Sequence, residues 1–302
     1  MPHLPKLDQG APLLDYTVQG GGPVATAMVA SARLGVPSGF IGQVGDDDIG
    51  AFIRKSFADD GVQGWITTAE ETLSPRAIGL VHQPTGARSL MYSPGTVPER
   101  LFDDEIREII SSASILHLDK PTPLSLGAAR FAKQNGIAVS VDLNRTREGM
   151  DELLSYTDVL IAARMFADDL AGEGNESEAL KLACAMGPSV VIVTLGERGS
   201  IGVVDGEYFE SAAQTDIDVV DTTGCGDTYH GAFLAAAVRG WDVPSCMSYA
   251  GAAAALKTRR LGGREGIPDH LKTIGLLTTS GVEMAIADSP WLVAESKSME
   301  RL

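Results

Sequence analysis

Asp218 to Ala237 reads DVVDTTGCGDTYHGAFLAAA: a short β-like run, then Thr222, Thr223, Gly224, Cys225 and Gly226, then a helix with Asp227 in its first turn. Glycines let an anion come close to the main chain, and the free amides and dipole of a helix N-terminus favour negative charge there. A carboxylate beside a bound phosphate is electrostatically unfavourable unless it works, and the work it suits is taking a proton from a hydroxyl that attacks phosphorus. The pattern GxGD alone is equally satisfied by Asp227 as an N-terminal helix residue that complements the dipole.

The elements around this junction alternate. SILHLD, LSLGAARFAKQNG, IAVSVDLN and DVLIAA follow the beat of strand, crossover helix and parallel strand, and the apolar run from Val190 to Leu195 (VVIVTL) suits a strand covered on both faces. This predicts an α/β sandwich. Between Gly64 and Gly95 the beat breaks: RAIGLVHQ and ARSLMYS flank Pro84, Thr85 and Gly86, a turn-forming trio that predicts a hairpin. Together with LLDYTVQ (13–19) it is expected to form a small antiparallel sheet, either a lid or a plain surface hairpin. The expected division is a body of residues 20–63 and 96–302 and a lid of residues 1–19 and 64–95. Pro290 and Trp291 suggest a docked C-terminal tail.

Composition narrows the functional classes. The 302 residues carry 24 Lys and Arg against 40 Asp and Glu, a net charge of −16, which repels a nucleic-acid backbone. Cys184, Cys225 and Cys246 have no metal-ligand spacing and predict a reducing compartment, the cytoplasm. No run of eighteen apolar residues exists, and MPHLPKLDQG lacks the order of a secretory signal, so neither membrane nor export is expected.

DTTGCGDTYHGAF resembles the C-terminal motif of the ribokinase-like (PfkB) sugar kinases, and GGGPVATAMVASARLG followed by IGQVGDDDIG resembles their N-terminal motif, with VTLGERGS between them. The resemblance implies a three-layer αβα sandwich with a small antiparallel β-sheet lid, transferring the γ-phosphate of ATP to a sugar hydroxyl with Mg²⁺. It assigns Asp227 as the base and the amides of Gly224, Cys225 and Gly226 as the anion hole. Cys225 stands where Ala is usual and reads as packing rather than as a nucleophile. Thr194, Gly196 and Gly199 match the ATP-binding strand and turn, joined on the nucleotide side by Thr222 and Thr223. Gly21, Gly22, Thr26, Asp46, Asn144 and Arg145 match the substrate side. Asp221, Thr223, Thr258 and Gly263 match loops that in some members hold a monovalent cation such as K⁺, although TRRLGGREG also reads as a Gly-rich helix cap. A homodimer through the lid is implied as well.

Departures from the pattern accompany these matches. Ala163, Arg164, Met165 and Phe166 occupy the place of an N-x-x-E motif that organises Mg²⁺, with Asp168 and Asp169 nearby but offset. The family's opening strand and its sugar-binding Asp find no counterpart, since Leu4 and Pro5 align just before the lid; a start about twenty residues upstream or an impaired sugar site is the expectation. Within the family the motifs are most similar to the bacterial sulfofructose kinases, yet RSLMYSPGT and LHLDKPTP lack the cations a sulfonate needs beyond Lys120 and Arg88. A dinucleotide-binding dehydrogenase fits poorly because Gly20 to Gly22 precede Pro23 instead of following a first strand. The remaining alternative is a kinase-derived protein that binds sugar or nucleotide without turnover.

Overall fold

The computed structural model describes every residue except Pro2, Leu4, Lys6, Ile286 and residues 288–302, so the expected tail at Pro290 and Trp291 lies outside the described residues. The chain forms two compact units, one of Met1–Arg100, Gln214–Ala232 and Ala252–Leu276, the other of Leu101–Ala213, Phe233–Gly251 and the described residues from Leu277. The elements up to residue 100 are α1 (Pro23–Arg33), β1 (Gly39–Gly45), α2 (Asp48–Asp59), β2 (Gln63–Ala69), β3 (Arg76–Val81) and β4 (Arg88–Ser93). Next come α3 (Asp104–Ser111), β5 (Ile115–Leu118), α4 (Pro123–Gln134), β6 (Ala138–Leu143), α5 (Met150–Ser155), β7 (Val159–Ala163), α6 (Arg164–Ala171) and α7 (Glu176–Ala185). The chain continues through β8 (Val190–Thr194), β9 (Ser200–Val204), β10 (Glu207–Ser211), α8 (Cys225–Val238), α9 (Val243–Lys257) and α10 (His270–Thr279).

In the second unit, β5 to β8 run parallel and β9 and β10 close one side antiparallel, giving the order β10-β9-β8-β7-β6-β5. All six residues of β6 are buried. Because alternate strand residues face opposite sides, complete burial requires cover on both, the mark of the expected helix-sheet-helix layering. Local chemistry sets the crossovers: Thr122 and Ser125 form a reciprocal capping box that starts α4 after Pro121.

In the first unit, β1 and β2 pair in parallel from Gly39↔Gln63 to Gly45↔Ala69, with α2 between them in sequence. β2 was expected among the paired strands of the lid; the intervening helix makes it a parallel crossover strand instead. Asp47 caps α2, its Oδ1 accepting from Gly50 N at 2.8 Å, and its carboxylate also accepts from Ser74 N and Oγ. β3 and β4 form the expected hairpin, in register from Arg76↔Ser93 to Val81↔Arg88. Residues 13–19 form no strand, contrary to expectation. Asp15 accepts the hydrogen bond of Tyr16 N, and Leu13, Leu14, Tyr16 and Val18 stay exposed. The main chain of Met1 lies beside the hairpin, donating to Val81 O at 3.0 Å and accepting from Gln83 N at 2.8 Å. Among the described residues, no helix is long and apolar enough to cross a membrane.

Candidate active site

The first unit gathers the segment expected from sequence to form an anion hole and two loops that brace it. Asp221 is buried, and its Oδ1 accepts from Thr223 N at 2.8 Å and Thr223 Oγ1 at 2.7 Å, while Oδ2 accepts from Gly262 N at 2.7 Å. The carboxylate therefore holds the turn before α8 against the loop after α9. Main-chain bonds reinforce this, since Val220 N and Asp221 N both donate to Thr258 O. Gly224 sits at φ +75°, and a Cβ there would lie 2.4 Å from Gly263 O. Only glycine fits that crossing of two backbones.

From this brace α8 begins. Gly226 is exposed and a Cβ on it would meet open space, its main chain hydrogen-bonds the Cys225 sulfur, and the Cys225 amide donates to Thr222 O at 3.3 Å. Asp227 is half-buried beside it, and its charge acts on two buried cations, Lys257 and Arg264. Burial pushes the Cys225 thiol above its usual range against the pull of Arg88 and Lys257, so it is a neutral thiol that packs. The hairpin tip meets the same turn: Thr222 N and Oγ1 each donate to Gly86 O at 3.2 Å, and Arg88 Nη1 approaches Thr222 Oγ1 at 3.4 Å.

Gly21 and Gly22 are exposed, and Gly22, at φ +94°, precedes Pro23 at the start of α1. Thr26 is buried, with Arg264 Nε 3.4 Å from its hydroxyl, so that hydroxyl faces a guanidinium rather than solvent. Asp46 is exposed, and its carboxylate accepts from Glu71 N and Thr72 N, which hold it below the usual carboxylate range.

Arg264 and Lys257 are the two residues that reasoning from sequence did not single out. Arg264 is 3% exposed, donates from Nη2 to Gly21 O at 3.1 Å, lies over the Phe57 ring and passes beneath Gly20, where a Cβ would meet Nη1 at 2.2 Å. Desolvation lowers its pKa to about 10. Lys257 is fully buried and donates to Asp221 O at 3.0 Å; burial pushes its ammonium below the usual lysine range, opposed by Asp221. The available signals were a lone lysine ending the run GAAAALK and an arginine enclosed by glycines in GGREG.

The second unit carries the remaining candidates. Thr194 ends β8 with its Oγ1 3.3 Å from Ala162 O. Gly196, at φ +64°, faces open space, whereas a Cβ on Gly199 would lie 2.1 Å from Ser211 O, so this glycine serves the approach of two chain segments. Asn144 and Arg145 are exposed after β6, and Arg145 pairs with Asp169 at 2.8 Å. Ala163 caps α6 and Phe166 is buried, so the stretch 163–166 offers no acid. Among the described residues, no group of three or more His, Cys, Asp or Glu suits a metal ion. Asp119, at the end of β5, is pushed above the usual carboxylate range by burial, helped by Asp142 and opposed by Lys120 and Arg147.

The model of the pfkB family carbohydrate kinases matches residues 10–270. A ribokinase of Arabidopsis thaliana is 30% identical over 280 residues, 86% of this chain and 72% of the relative. A 5-dehydro-2-deoxygluconokinase of Clostridium perfringens is 27% identical over 263 residues, 78% of this chain and 77% of the relative. The structure of Arabidopsis thaliana ribokinase complexed with ribose and ATP superposes with a TM-score of 0.78 at 29% identity, covering 91% of this chain and 93% of that one. The chain belongs to the pfkB family of carbohydrate kinases.

Proposed function

We propose that this kinase transfers the γ-phosphate of ATP to a hydroxyl of a sugar or sugar-like polyol, with Asp227 as general base. The observation that carries the reading is the junction at α8: a turn locked by Asp221, an exposed glycine at Gly226 and a carboxylate one residue on. The hydroxyl proton passes to Asp227, the freed oxygen attacks the γ-phosphorus, and the bond from that phosphorus to the ADP oxygen breaks. Amides of Gly224, Cys225 and Gly226 receive the charge on the transferring group, while Thr222, Thr223, Thr194, Gly196 and Gly199 serve the nucleotide. Gly21 and Gly22 offer exposed main chain to sugar hydroxyls, with Asp46, Asn144 and Arg145 as further substrate contacts. Among the described residues no group of three or more His, Cys, Asp or Glu would hold a metal ion, and Mg²⁺ would fit as a partner of the nucleotide's own phosphates, where it would neutralise charge.

The test is a phosphate-transfer screen of the purified protein over ketoses, aldoses, nucleosides and sugar acids, following ADP release and the phosphorylated product. ATP binding without turnover on any acceptor overturns the reading in favour of a kinase-derived binder.

The hairpin β3–β4 acts in this reading as a lid, because its tip already bonds to Thr222. Saturating substrate is expected to protect the segment Pro84 to Arg88 from limited proteolysis; equal cleavage with and without substrate counts against closure. Ile78 and Met91, paired across the hairpin, leave exposed apolar surface on one of its faces, with Leu90 and Tyr92 on the other, and a second copy of the chain covers the Ile78–Met91 face in the proposed homodimer. Met91→Glu is therefore expected to shift the mass seen by light scattering from dimer to monomer, and a monomeric parent sinks the idea.

A further inference from the structure

The loops that match a monovalent-cation site can be tested against such an ion. A K⁺-sized cation exchanges its hydration shell for several oxygens directed at one point. Here both Asp221 carboxylate oxygens accept hydrogen bonds from Thr223 and Gly262, Thr258 O accepts from Val220 N and Asp221 N, and Thr258 Oγ1 donates to Ala255 O. The Asp221 carbonyl accepts from Lys257 Nζ at 3.0 Å, and this ammonium has no exposure to solvent. The charges that act on it are Asp221, Cys225, Arg88 and Asp227, which include the proposed base and the anion-hole residue. A second cation beside a buried ammonium meets direct repulsion in a medium that screens poorly. The residues present do not fit K⁺.

We propose that Lys257 is a positioning residue for phosphoryl transfer: its ammonium is a positive charge built into the chain, bracing the Asp221 turn where loops of this kind take up a monovalent cation. The protein is therefore independent of K⁺. The role in transfer rests on the kinase reading above; the bracing of the turn does not.

The experiment measures the melting temperature of the ligand-free protein, and separately its turnover, in KCl, NH₄Cl and tetramethylammonium chloride at equal ionic strength. The parent is expected to behave alike in all three. A saturable gain in stability or turnover from K⁺ in the parent overturns the proposal. Lys257→Ala vacates the ammonium and is expected to melt lower, then to regain several degrees in K⁺ or NH₄⁺ but not in tetramethylammonium, with turnover following the same order. A folded Lys257→Ala that responds to no ion also overturns it. Lys257→Met keeps the packing of the stem and is expected to lose about ten-fold or more in turnover with the sugar KM little changed; full turnover in that variant refutes the positioning role. The melting measurements need no substrate, so they decide the bracing even if the transfer screen fails.

Discussion

Replacing Asp227 by Asn is expected to lower turnover by about two to four powers of ten, the usual contribution of a positioned general base. The amide keeps the shape and the first-turn position but cannot take the proton of the attacking hydroxyl. ATP affinity should stay within a few-fold of the parent, because the proposed phosphate donors are main-chain amides beside the turn that Asp221 braces. Rates of ADP release give the first quantity and calorimetric titration with ATP the second. Turnover within a few-fold of the parent removes Asp227 from the role of base, and a matching collapse of ATP binding means that the residue holds the turn instead.

Gly224→Ala is expected to cost both stability and turnover. The left-handed backbone at φ +75° carries a penalty of about 1 kcal/mol for a residue with a Cβ. The methyl would also lie 2.4 Å from Gly263 O, a backbone atom that cannot rotate away, and overpacking of this kind typically adds about 1 to 3 kcal/mol. Relief requires the two loops to part, which pulls Gly262 N from Asp221 and re-aims the anion-hole amides. Losing one aligned donor typically costs about 100- to 1,000-fold in turnover, so a loss of at least about 100-fold is expected alongside a lower melting temperature. Gly226→Ala is the internal control: its Cβ enters open space, and stability should hold or rise. Parent-like melting and turnover in Gly224→Ala would show that the two loops do not depend on their close crossing.

Much of this architecture was legible because its signals are local. The buried strands β6, β7 and β8 announce themselves as apolar runs, and the hairpin by its turn residues. Residues 13–19 were misleading for the same reason: LLDYTVQ alternates like a strand, but alternation forms a strand only where a neighbour supplies hydrogen bonds and cover. β2 likewise read as a lid strand because its pairing is decided by the crossover through α2, a contact of long sequence separation. In the site, the chemistry of DTTGCGD could be read from the order of its residue types. The partners of that motif could not, since Lys257 reaches Asp221 across 36 positions and Arg264 reaches Gly21 across 243. Thr26 shows the limit most clearly: a hydroxyl in a sugar-side motif reads as a ligand until its burial against Arg264 is seen.

The first compact unit is assembled from three separate stretches of chain, the last of them running from Ala252 to Leu276. During synthesis the β3–β4 hairpin and the glycines before α1 emerge well before the turn at Asp221, and Lys257 and Arg264 emerge later still. A nascent chain halted between Arg100 and Leu276 has its first hundred residues but lacks part of what braces them, so its folding waits on the ribosome rather than on local preference. On the same ground a copy truncated before Ala252 is expected to lose the brace at Asp221, since Lys257 and Gly262 lie in the missing stretch.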